Sequence, residues 1–125
     1  MDKQKILIVE DEATLQKALS EYLALEGFKV VNALDGEQGE QMAKKEKPDL
    51  ILLDIILPKK DGYEVLDELK ADEGTKNIPI ILLTNLGGAE DVEKAFSKGA
   101  TTYLGKSDYK LEDVVKKIRE TLKIT

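Results

Sequence analysis

Five polar residues stand directly behind apolar runs, and together their types can do metal and phosphoryl chemistry. Glu10 and Asp11 follow Ile6-Leu7-Ile8-Val9, and Asp54 follows Leu50-Ile51-Leu52-Leu53. Thr84 follows Ile80-Ile81-Leu82-Leu83, and Lys106 follows Thr102-Tyr103-Leu104-Gly105. Carboxylates held close together disfavour one another's ionisation, a cost that a divalent cation removes. Mg²⁺ takes oxygen ligands at about 2.0–2.1 Å and keeps several waters. With such an ion between Asp11 and Asp54, one Asp54 oxygen is bound and the other is free to attack a phosphoryl group. That transfer needs little more than positioning and charge neutralisation. Lys106 and the ion supply positive charge, and Thr84 can donate a hydrogen bond to a phosphoryl oxygen.

Taken singly, each residue also has an ordinary reading. Asp54 can cap a turn, Glu10 and Asp11 can be solvated acids before a helix, where acids are favoured, Thr84 can simply end a strand, and Lys106 can be a surface lysine. What gives the set meaning is the elements that must carry it. The four aliphatic residues before Asp54 suit a strand buried on both faces. Pro58 and Asp61-Gly62 then mark a loop and a helix start. Lys5–Val9 is a second such strand, followed by a helix with Leu15, Ala18, Leu19, Tyr22 and Leu23 on one face and a stop at Gly27. Phe28–Ala33 reads as a strand, and Asp35-Gly36-Glu37-Gln38 as a capping box opening a helix to about Lys45, with Gly39 inside it. Asp61-Gly62-Tyr63-Glu64 repeats the capping pattern for a helix bearing Val65, Leu66 and Leu69.

The fourth strand runs through Ile78–Leu83, with Pro79 near its start. A fourth helix carries Val92, Ala95 and Phe96 and stops at Gly99, and residues 101–105 form the fifth strand. Ser107 or Asp108 is expected to cap a last helix lined by Leu111, Val114, Val115, Ile118 and Leu122. Strand and helix alternate five times, so a parallel sheet with helices on both faces is expected. Right-handed crossovers lead to a single doubly wound, flavodoxin-like (βα)5 three-layer sandwich of strand order 2-1-3-4-5. In that order all five polar residues converge on the carboxyl edge, where ligands collect in open α/β sheets.

The chain has 125 residues, one domain's worth, with residues 4–123 expected to be structured. It has no Cys and no His, which excludes disulfides, thiol chemistry and the commonest general base. Any metal must be held by oxygen, which favours Mg²⁺, with Mn²⁺ possible. A net charge of −6 and a pI near 4.8 argue against nucleic acid as a partner of this chain. No signal segment and no 18-residue apolar stretch is present, so a cytoplasmic protein without membrane contact is expected.

Over its whole length the sequence resembles the receiver domain of bacterial two-component response regulators, the family of the chemotaxis and sporulation regulators. The resemblance rests on Ile6-Leu7-Ile8-Val9-Glu10-Asp11-Glu12, on Asp54-Ile55-Ile56-Leu57-Pro58-Lys59-Lys60-Asp61-Gly62, on Thr84 thirty residues after Asp54, and on Tyr103 and Lys106. It implies that Asp54 accepts a phosphoryl group from a phosphohistidine on a sensor histidine kinase or histidine phosphotransfer protein. It implies Asp11 as a direct Mg²⁺ ligand, Glu10 as a second acid acting through water, and the Ile56 backbone carbonyl as a third protein ligand. Lys106 would pair with the phosphoryl group, and Thr84 and Tyr103 would move together on activation. The surface of the fourth helix, fifth strand and fifth helix would then meet a downstream protein target, and the same surface leaves a monomer or a weak homodimer open. Such a chain is no enzyme beyond catalysing its own phosphorylation and dephosphorylation.

Three positions depart from the family pattern. Ser107 stands where proline in a cis peptide is usual, and cis before a non-proline costs roughly 2.5–4 kcal/mol, so a trans or strained Lys106–Ser107 bond is expected. Asn85 replaces a small residue and should alter the lifetime of the acyl phosphate; Ile56 offers no polar group near the phosphoryl site, so slow self-dephosphorylation is expected. Competing readings are a degenerate receiver acting as a phosphorylation-independent interaction module, and a haloacid-dehalogenase-like phosphatase. The phosphatase would need a second Asp where Ile56 stands. A receiver cut from a longer regulator is a third reading; a single-domain regulator signalling through other proteins is the expectation.

Overall fold

The computed structural model describes residues 3–55, 57, 59–84, 93–94, 96–105 and 110–124, with Thr84 described for its backbone alone. Five parallel strands form one sheet: β1 (Lys5–Val9), β2 (Lys29–Ala33), β3 (Leu50–Asp54), β4 (Ile80–Thr84) and β5 (Thr102–Gly105). Their order is β2-β1-β3-β4-β5, as expected. Four helices are described: α1 (Ala13–Leu25), α2 (Gly36–Glu46), α3 (Gly62–Ala71) and the final helix α4 (Leu111–Leu122). Helical backbone at 93–94 and 96–97 falls where the fourth predicted helix was placed. Residues 85–92 and 95 lie outside the described set.

Parity explains the continuous apolar runs of the central strands. Ile6, Ile8, Leu50, Leu52, Ile81 and Leu83 face Leu19, Leu23, Val114, Val115 and Ile118 from α1 and α4. The alternate residues of the same strands, Leu7, Val9, Ile51, Leu53, Ile80 and Leu82, face Ala43, Val65, Leu66 and Leu69 from α2 and α3. A strand clad on both faces has no position where a polar residue is favoured until it ends. The edge strand β2 is instead partly exposed at Lys29 and Asn32, and β5 is partly exposed throughout.

The helix starts mostly follow the sequence signals. Asp35 and Asp61 accept from the backbone N–H groups of Gln38 (2.7 Å) and Glu64 (3.0 Å). The return half of the first box is displaced: the Gln38 side chain accepts from the N–H of Leu34, not of Asp35. Gly39 breaks no helix. A Cβ there would lie 2.7 Å from a Val9 methyl, so its lack of side chain lets α2 lie directly on β1. The cap of the final helix is a correction. Lys110 occupies the N-cap, not Ser107 or Asp108, because the Asp113 carboxylate reaches back to accept from the Lys110 N–H (2.9 Å). An acid at the third helical position satisfies one orphan donor, which a lysine side chain, having no acceptor, cannot do.

Candidate functional site

Register places the acids. Val9 pairs with Leu53 across β1 and β3, and one residue further along stand Glu10 and Asp54. Beyond β3, Asp54 is opposite Leu83 on β4, and Thr84 is opposite Gly105 on β5. All these positions lie at one edge of the sheet, the carboxyl edge.

Glu10, Asp11 and Asp54 each offer one carboxylate oxygen, and these atoms all lie within 4.8 Å of one another. Ligands at about 2.1 Å around an octahedral ion sit roughly 3–4 Å apart. The trio therefore fits a hard divalent cation with small side-chain rotations. The donors are all oxygens, the set that Mg²⁺ and Mn²⁺ prefer. Glu10 is fully buried and Asp54 is 4% exposed, whereas Asp11 is open to solvent. The site thus has an inner wall and one wet side, as an ion that keeps waters requires.

Local structure fixes this edge from both flanks. On the β1 side, the Glu10 N–H donates to Ala33 O (3.1 Å), and the Glu12 N–H donates to Glu10 Oε2 (2.9 Å). On the β3 side, the Gly62 N–H donates to Ile55 O (2.7 Å), closing the loop that leads into α3. A Cβ on Gly62 would fall 2.5 Å from Asp54 O, so only glycine lets α3 start this close beneath the acid. The same loop is tethered further out, where Lys60 Nζ contacts Glu40 (2.6 Å) on α2 and Glu68 (2.5 Å) on α3. Burial pushes the Glu40 carboxyl up, but its contacts with Glu68, Lys60 and Lys44 outweigh that and bring it down to about 2. The Lys60 ammonium is raised, first by its hydrogen bond to Glu40 and then by that to Glu68.

Of the residues singled out from sequence, the structure brings Glu10, Asp11 and Asp54 together. Ile56, Lys106, Asn85 and Ser107 lie outside the described residues, as does the Lys106–Ser107 peptide. Thr84 is placed by its backbone only. Tyr103 is 41% exposed on β5, its ring edge-on to that of Phe96, itself 45% exposed, with centroids 6.1 Å apart. Sequence reasoning missed Gln16. It is 8% exposed, and its amide nitrogen donates to Ala33 O (2.8 Å) and Glu10 O (3.2 Å). A signal existed: Gln16 shares a helix face with Leu19 and Leu23, three and seven residues on, where a polar side chain needs buried partners.

A family model described as the response regulator receiver domain matches residues 6–119. The chain belongs to the response regulator receiver domain family. It is 38% identical over 121 residues to the DNA-binding dual master transcriptional regulator RpaA of Synechocystis, covering 97% of this chain and 50% of that protein. This receiver thus spans about half the length of the curated relatives it matches. Among solved structures, it resembles the BeF3-activated N-terminal receiver domain of Klebsiella pneumoniae RstA (TM-score 0.87, 32% identity, 95% of this chain and 98% of that one). It also resembles the receiver domain of a Pseudomonas aeruginosa sensor histidine kinase, solved with a magnesium ion coordinated in its active-site cleft (TM-score 0.87, 31% identity, 97% and 98% covered). Among the described residues of this receiver, no helix is long and apolar enough to cross a membrane.

Proposed function

We propose that this receiver is a phosphorylation-activated switch of a two-component phosphorelay, with Asp54 as phosphoacceptor. The observation that carries the reading is the convergence of Glu10, Asp11 and Asp54 at the end of β1 and β3. An Asp54 oxygen attacks the phosphorus of a phosphohistidine on a sensor kinase or phosphotransfer protein. The oxygen–phosphorus bond forms as the phosphorus–nitrogen bond breaks, and the leaving electron pair returns to the imidazole, which takes up a proton. Asp11, Asp54 and the Ile56 carbonyl would hold Mg²⁺, or Mn²⁺, with Glu10 acting through water. The bound cation would neutralise charge on the transferring group. Lys106 is assigned to pair with the phosphoryl oxygens, and Thr84 to donate to one of them.

The chain performs no turnover on a separate substrate; it catalyses its own phosphorylation and dephosphorylation. Charge on Asp54 biases a two-state equilibrium in which Thr84 and Tyr103 move together. Tyr103, half in solvent against Phe96, holds the outward position from which such a movement would start. Beside it, β5 and α4 enclose a groove of 480 Å³ lined by Thr102, Tyr103, Leu104 and Lys116 among others. That face, with the Phe96 segment, is assigned to the downstream protein target and to any weak homodimer. The acidic balance of the chain disfavours nucleic acid here, and the cytoplasm, where phosphohistidine donors act, is the assigned compartment.

Incubation with acetyl phosphate and Mg²⁺, followed by intact mass, tests the reading. The parent protein is expected to gain one phosphoryl group and Asp54→Asn none. A parent that binds Mg²⁺ but gains no mass would refute it.

A further inference from the structure

Among the described residues, Gln16 is a buried polar side chain beside the acids that the phosphotransfer scheme leaves without a task. It lies in the first turn and a half of α1, yet its amide is turned away from solvent toward two strand ends. Two carbonyls face it, those of Glu10 and Ala33. Carbonyls only accept, so the amide nitrogen must be the atom that faces them. The Ala33 carbonyl also accepts from the Glu10 N–H, so Glu10 is gripped on both sides of its own Cα. Its carbonyl belongs to the peptide plane that joins Glu10 to Asp11. Rotation of that plane would swing the Asp11 side chain relative to Glu10 and to Asp54.

We infer that Gln16 is a positioning residue for the metal-binding acids: by donating to Glu10 O and Ala33 O it locks the Glu10–Asp11 peptide plane so that both carboxylates converge with Asp54. The inference rests on the metal-dependent reading proposed above. Its physical content is preorganisation. Three carboxylates within 4.8 Å repel one another and press their backbone to relax apart. A fixed plane resists that relaxation, so less of the ion's binding energy goes into assembling the site. Partners that orient metal ligands without touching the ion typically matter by about 10–100-fold in affinity.

The test is a calorimetric Mg²⁺ titration of the parent and of Gln16→Met, Gln16→Arg and Ser20→Ala, with the melting temperature of each recorded in EDTA. Gln16→Met keeps length and loses the donors, and is expected to weaken Mg²⁺ binding about tenfold or more. Gln16→Arg keeps donors that can reach both carbonyls, and should restore binding to near the parent value. Ser20→Ala removes another α1–β2 contact, the hydroxyl bond to Asn32 (2.9 Å), and should leave the affinity unchanged. A cooperatively melting Gln16→Met with parental affinity would overturn the inference, and so would equal losses in the Met and Arg variants. Should Gln16→Met fail to fold, nuclear magnetic resonance of the parent decides. In EDTA the Gln16 side-chain amide protons must exchange slowly with solvent, as protons held by Glu10 O and Ala33 O do, and rapid exchange overturns the inference. A parent that does not bind Mg²⁺ at all would instead sink the metal-dependent reading beneath it.

Discussion

Asp11 is the exposed member of the acid trio, so it is where repulsion can be relieved at least structural cost. Two unit charges at this range interact by about 1 kcal/mol in a water-like surrounding. Asp11→Asn should therefore raise the stability of the metal-free protein by up to about that amount, read from urea midpoints in EDTA, while abolishing any Mg²⁺-dependent rise in melting temperature. A midpoint lowered in EDTA would show that the acids are not in conflict. Glycines set a second residue-scale comparison. Gly39→Ala gains helix propensity but drives a Cβ into Val9, a stiff β-branched side chain that is itself fully buried. The net cost should be about 1–2 kcal/mol. Gly62→Ala drives its Cβ into backbone, 2.5 Å from both Asp54 O and Ile55 Cα, so it should cost more and also slow phosphorylation of Asp54. Equal stabilities of the two variants in urea would contradict this. The carboxylates were legible because each ends an apolar run. Gln16 was legible only as a polar residue on an apolar helix face; its partners come from two strands that only the folded sheet brings to it.

At the scale of elements, strands and helices were readable wherever one local rule decided them. The alternation gave five strands, and the Asp35 and Asp61 caps gave two helix starts. Where a tertiary contact decided, the sequence rule erred or stayed silent. The helix through Gly39 owes its place to Val9; the start of α4 is different, a local pair of Lys110 with Asp113 three residues on that the choice of Ser107 or Asp108 overlooked. The junction of α2, α3 and the β3–α3 loop is another such contact, made by Lys60 between Glu40 and Glu68. Its pH dependence follows from the Glu40 carboxyl, lowered from 4.5 to about 2 in the folded protein. A depressed acid contributes stability that is fully present above its unfolded value. That contribution is lost as pH falls from 4.5 toward 2. Lys60, raised in the folded protein, contributes up to its unfolded value and loses this only in strong alkali. Lys60→Met should thus be less stable than the parent at pH 7, and the gap in urea midpoint should close as both are taken toward pH 3. A gap that stays constant would show that Lys60 acts by packing and not by charge.

The whole molecule is a sheet with an apolar core on each face, and β1, β3 and β4 belong to both. Loss of either core would strip the same strands, so the two layers stabilise one another. The acid edge is built entirely from the middle of this arrangement, while Tyr103 stands on its rim. The strand order has a consequence for time as well as for place. Because β1 pairs with both β2 and β3, residues up to Asp54 can close a three-stranded sheet among sequence neighbours. Strands β4 and β5 then add singly on the β3 side. Contacts between sequence neighbours form fastest, and elements with little buried surface open most readily. The molecule should therefore assemble from its N-terminal half and open from its C-terminal rim. In native-state hydrogen exchange, the β5 amides should exchange through smaller openings than those of β1; uniform protection across the sheet would refute this. A rim that breathes while the acids stay framed would let the proposed partner surface rearrange without dismantling the proposed site of phosphorylation.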